Sequence, residues 1–131
     1  MTADVPVVED AVAIVPVRDV AATVAFYADV LGFSPPSVPA GETFATVRRE
    51  GAAIHLVAAD DEQALKATAT NISMSVWVRG LDALYAALKP KLDALPAGRV
   101  RPPFEQPYGI REFHVKDPDG CLLLFAEVPA D

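Results

Sequence analysis

The chain of 131 residues repeats itself, and that repeat limits the folds open to it. Val17-Arg18-Asp19-Val20 opens one apolar-periodic segment, and Val78-Arg79-Gly80-Leu81 opens another 61 residues later. Glu50-Gly51 followed by AAIHLVA returns as Asp119-Gly120 followed by CLLLFAE, 69 residues on. The second copy therefore carries extra residues between its helix and its last hairpin, where the Pro-rich segment 96–107 lies. Each copy reads as strand, helix, then two or three strands, a βαβββ module of roughly 60 residues.

Local signals support this reading in both copies. Val12–Val17 is a β-branched run, and Asp19 behind it is an N-cap. Val20, Val24, Tyr27 and Leu31 then form one face of a helix, which Gly32 ends. Phe33 restarts an extended segment, and 34–41 (SPPSVPAG) is a surface loop, poor in backbone donors. Thr43–Val47 and Ala52–Ala58 read as strands around a turn. The polar, alanine-rich stretch 60–70 reads as a connector with at most one helical turn. Asn71–Val78 alternates as a strand, Leu81, Leu84, Tyr85 and Leu88 form a second helical stripe, and Pro90 ends or kinks that helix. The segment 96–107 reads as a second Pro-rich surface excursion. Asp117-Pro118-Asp119-Gly120 is the strongest turn signal and joins Phe113 and Val115 to the apolar run Cys121–Phe125 as a hairpin.

A small sheet with one helix leaves its other face open, so the modules must pack together. The expected architecture is α+β, two βαβββ modules pairing into a curved mixed sheet with a concave cleft. Residues 1–11 form an extension, 12–59 the first module, 60–70 the connector and 71–128 the second module, in one structural domain. Val15, Val17, Met74, Val76, Phe113, Leu123 and Phe125 have the helix-facing parity. The opposite parity, including Ile14, His55, Ser73, Ser75, Trp77, Glu112, His114 and Leu124, mixes polar with apolar groups, as a ligand site requires.

The net charge of −7 argues against nucleic acid, which needs a basic surface, and suits a cationic or neutral small ligand. The single cysteine, Cys121, lies in an apolar run and is expected in the core. No run approaches the length of about 18 apolar residues that a membrane span needs, and the first ten residues lack a secretory pattern, so a cytoplasmic protein is expected.

The segments VRDVAATVAFYADVLGF (17–33) and REFHVKDPDGCLLLFAE (111–127) resemble the vicinal oxygen chelate superfamily of glyoxalases, dioxygenases and bleomycin-resistance proteins. Within it, NISMSVWVRGLDALYAAL (71–88) and EQPYGIREFHVKDPDG (105–120) are most similar to bleomycin-resistance proteins. The resemblance implies a homodimer with grooves built from both chains, which sequesters a cationic aromatic or glycopeptide drug without chemistry. Metal enzymes of this fold use four equivalent strand positions, which fall here on Val12, Ser73, His55 and Leu124. Three of these cannot hold a metal, so neither a metal, a cofactor nor a catalytic residue is expected. The aromatic candidates for ligand contact are Trp77, Tyr108, Phe104 and Phe33, with Trp77 as the stacking platform. Glu112 would contribute negative charge, His55 and His114 would line the wall, and Ser75 stands where some relatives carry a second Trp. A metal-dependent glyoxalase-like or dioxygenase-like enzyme is the alternative, using His55, His114 and Glu112 as two histidines and one carboxylate. Binding of an unidentified metabolite is a third reading.

Overall fold

Strand β1 (Ala13–Val17) runs directly into helix α1 (Val20–Asp29) because Asp19 caps it, its side chain accepting from the Ala22 N–H at 2.9 Å. The computed structural model describes residues 5–36, 41 and 43–129. Part of the 34–41 loop and the first part of the N-terminal extension lie outside those residues. Strands β2 (Phe44–Arg49) and β3 (Ala52–Ala58) complete the first copy. After helix α2 (Glu62–Asn71) the second copy comprises β4 (Ser73–Val78), α3 (Leu81–Leu92), β5 (Val100–Glu105), β6 (Arg111–Lys116) and β7 (Leu122–Glu127).

The strands form two ladders instead of one continuous sheet. The first has the order β1-β3-β2 and the second β4-β7-β6-β5. In each, the opening strand lies parallel to the last strand of its own copy, and the other pairs are antiparallel. Among the described residues the first copy shows no counterpart of the third antiparallel strand of the second. A single bridge between Ser34 and Arg48 stands beside β2 instead.

Period-2 alternation decides which face is covered. Val15, Val17, Val47, Leu56, Phe113, Val115, Leu123 and Phe125 are buried beneath α1 and α3 with Tyr27, Leu31, Leu81 and Leu92 in one core cluster. Phe113 and Phe125 stack at 4.7 Å between centroids, and Cys121 is buried as expected.

The hairpin turn ties the copies together. Gly120 donates to the Asp117 carbonyl at 2.9 Å and holds φ at +93°, while Asp117 Oδ1 accepts from the N–H groups of Asp119 and Cys121. From the same turn Asp119 Oδ2 accepts the backbone N–H of Arg18 at 3.1 Å, at the β1–α1 junction.

Three expectations are corrected. The 60–70 connector holds a ten-residue helix, α2, started by Asp61, whose side chain accepts from Gln63 and Ala64. It buries only Leu65 and Thr68, a stripe too narrow to register as periodicity. The 96–107 excursion contains β5, which tolerates Pro102 and Pro103 because it is an edge strand and both fall in a bulge where its ladder with β6 is interrupted. Pro90 does not end α3, which runs on to Leu92, but sits inside its last turn, where one missing hydrogen bond is tolerated.

Candidate functional site

The helix-free face of the second sheet carries most of the expected residues in two cross-strand rows. One runs Trp77, Ala126, Glu112, Phe104 from β4 to β5. The next runs Ser75, Leu124, His114, Arg101. Leu124 is thus directly beside His114, as the turn register requires.

Glu112 is the hub of this face and is only 3% exposed. Gln106 Nε2 donates to its Oε1, Tyr108 donates its hydroxyl to Oε2 at 3.2 Å, and His114 Nε2 lies 2.9 Å from Oε1. Burial alone pushes the Glu112 carboxyl up, but the hydrogen bonds from Gln106, His114 and Tyr108 together outweigh it and hold the group below the usual carboxylate range. Desolvation and the bond to Glu112 in turn raise the Tyr108 phenol. The carboxylate is therefore occupied from within the chain.

The aromatic candidates divide. Trp77 is 57% exposed on edge strand β4, a large apolar ring with an open face. Tyr108 is 66% exposed on the β5–β6 loop, its ring free although its hydroxyl is bound. Phe104 packs edge-on against the His114 ring at 5.0 Å, and the guanidinium of Arg101 lies 3.5 Å from its centroid. Phe33 is only 3% exposed and packs edge-on against Tyr27 at 5.4 Å. It belongs to the core and not to the helix-free face, because α1 and β2 close over the residue that follows Gly32.

His55 is on the first sheet, in the row Ile14, His55, Thr46, with its ring edge-on to Phe44 at 5.1 Å. It does not join Glu112 and His114. Among the described residues no three His, Cys, Asp or Glu side chains gather as metal ligands would. Among the residues aligned with the four ligand positions, Ser73 and Leu124 lie on the second sheet and His55 on the first.

The free charges of these faces run opposite to an acidic groove. Arg48 on β2, Arg101 on β5 and Lys116 on β6 all have the helix-free parity, against one carboxylate, Glu112, already satisfied. Lys116 and Arg48 could have been read from strand alternation alone. Arg101 and Gln106 could not, since both lie in the stretch that reads as a Pro-rich excursion.

Between the copies an open cavity of about 850 Å³ is lined by Ala13, Phe33, Arg49, Trp77, Arg79 and Ala87 among others. The repeat explains why it is open. Ala87 of α3 occupies the position that Phe26 fills in α1, and Phe26 is covered by the Arg99 guanidinium at 5.4 Å. Trp77 borders this cavity as well as the helix-free face.

The two packed modules thus present a helix-free face that mixes polar with apolar and aromatic groups, the composition that ligand sites use. Residues 10–125 match the Glyoxalase/Bleomycin resistance protein/Dioxygenase superfamily, and the chain belongs to it. It is similar to the bleomycin-binding protein of bleomycin-producing Streptomyces verticillus, solved with copper(II)-bleomycin. Identity to that protein is 28% and the TM-score 0.76, over 95% of this chain and 100% of that one. The bleomycin resistance determinant encoded on transposon Tn5 has 23% identity and a TM-score of 0.76, over 94% of this chain and 100% of that one. A glyoxalase-related enzyme from Clostridium phytofermentans has 21% identity and a TM-score of 0.69, over 95% and 98%. No curated protein matches in sequence. Among the described residues no helix is long and apolar enough to cross a membrane.

Proposed function

We propose that this protein binds and sequesters a planar, bleomycin-like small molecule without transforming it, on the helix-free face of the second sheet. The observation that carries the reading is Trp77, an exposed indole in line with Glu112 and Phe104 on that face. Trp is enriched at contact surfaces, where its ring supplies a large apolar area beside a polar N–H, and stacking on it contributes about 1–3 kcal/mol. The likeness to a bleomycin-binding protein over the whole chain supports the same assignment. Titration with bleomycin should quench the Trp77 emission and saturate, and recovered bleomycin should be unmodified. Unchanged emission at high drug concentration removes the proposal.

The same reading has two copies of the chain build the groove. It is supported by the first sheet's helix-free face, where Ile14 is 67% exposed beside His55 and Phe44. Light scattering should give twice the monomer mass of 13.9 kDa. A second reading, proton transfer on the ligand, draws on the contact between Glu112 and His114. Chemical change in a ligand that stops in His114→Ala would favour it.

A further inference from the structure

We infer that Arg101 sets the charge preference of this face, and that the ligand it selects is a planar aromatic acid whose ring sits at Trp77 and whose anionic group reaches Arg101. The inference rests on the proposal that the helix-free face is the binding surface, and it replaces the cationic ligand expected from net charge.

The position of Arg101 follows from the backbone. Between Arg101, opposite His114, and Phe104, opposite Glu112, the β5 register slips, so three steps along β5 match two along β6. Pro102 and Pro103 occupy the bulge. The extra residue returns Arg101 and Phe104 to the same side of the strand, and the guanidinium carbon lies over the ring, 3.5 Å from its centroid. Stacking of this kind immobilises the guanidinium while leaving its in-plane N–H donors free. The ion pairs among the described residues do not include Arg101. A donor fork held in place without an acceptor suits a carboxylate or sulfonate arriving in its plane.

The neighbourhood supports the same sign. Lys116 shares the face and is likewise absent from those ion pairs, and the Glu112 carboxylate, further along the same strand, is held by Gln106, Tyr108 and His114. Trp77 on β4 is three strands from Phe104 on β5, about 14 Å by inter-strand spacing. An extended aromatic acid spans that distance. The overall charge of −7 disfavours anions at long range, so a preference for an anion can only come from these local groups.

The test uses the full chain and two probes with one ring and opposite ends, pyrenebutyrate and pyrenebutylamine, followed by pyrene anisotropy, with bleomycin titrated in parallel through Trp77 emission. Pyrenebutyrate should bind about tenfold more tightly than the amine. Arg101→Gln should abolish that preference, Arg101→Lys should restore part of it, and Trp77→Ala should weaken both probes alike. Arg101 is exposed and its replacement leaves the core untouched; a circular dichroism melt verifies this. Equal binding of the probes, tighter binding of the amine, or a preference that survives in Arg101→Gln overturns the role of Arg101. If bleomycin still binds in that case, the binding face stands. If neither probe nor bleomycin binds, both conclusions fall.

Discussion

The Tyr27 hydroxyl of α1 donates to Asp117 Oδ2 in the β6–β7 turn at 3.5 Å, joining the first copy to the second inside the core. Burial pushes the Asp117 carboxyl up from 3.8 to about 6, against the hydrogen bonds from Cys121 and Asp119, which lower it. The folded state thus holds this proton more tightly than the unfolded chain. The stabilisation is fully present below the unfolded value of 3.8 and is lost as pH rises through about 6. Asp117→Asn should remove this dependence. Urea melts across that window should show the wild type losing on the order of 2 kcal/mol relative to the variant. A constant difference between the two proteins refutes the assignment.

Glu112 behaves with the opposite sign. Its lowered carboxyl stabilises the fold above the ordinary value of 4.5, and the stabilisation is lost as pH falls through the lower folded value. Glu112→Ala strands the donors of Gln106, Tyr108 and His114 and should cost about 2–4 kcal/mol near neutrality. Glu112→Gln keeps one accepting oxygen and should cost less. Its deficit should shrink on acidification in denaturant melts, and a deficit that grows would contradict the network.

Gly120 is required twice over, by its φ of +93° and by the Cβ of Ala69, which an added methyl would meet at 3.0 Å. Gly120→Ala should destabilise the protein by about 1–2 kcal/mol, from backbone strain and crowding together. Gly98, at φ +85° with open space around it, is the control for strain alone. If the two Ala variants melt together, α2 does not press on the turn as described.

Trp77→Ala should separate stability from binding. The ring is more than half exposed, so the melting midpoint should move by less than the equivalent of about 0.5 kcal/mol. Bleomycin affinity should fall by at least about 1 kcal/mol in calorimetry. Equal affinities of the two proteins would end the stacking role.

Much of this was legible in the chain itself. The offsets between VRDV and VRGL, and between the two hairpins, revealed the duplicated module, and strand alternation assigned Ser75, Trp77, Glu112 and His114 to one face. The turn at Asp117–Gly120 set the β6–β7 register, because only a residue tolerant of positive φ could close it. Helix α2 had a readable start, Asp61 followed by good helix formers, but its two buried side chains gave no stripe to detect. Strand β5 was hidden because Pro102 and Pro103 argue against a ladder, a rule that fails at the edge of a sheet.

Periodicity and turn chemistry act over a few residues, and from them the sequence by itself determined the repeat, the two faces of most strands and much of the core. Tertiary structure alone decided how those faces are charged. The Glu112 carboxylate is hydrogen-bonded by a loop residue, Gln106, and by Tyr108, and Phe104 is covered by Arg101 only because a bulge two prolines long turns both to one side. Likewise Phe33 entered the core and His55 was placed on the other sheet from Glu112 and His114, since the packing of two copies, not the spacing within either, determines which side chains meet.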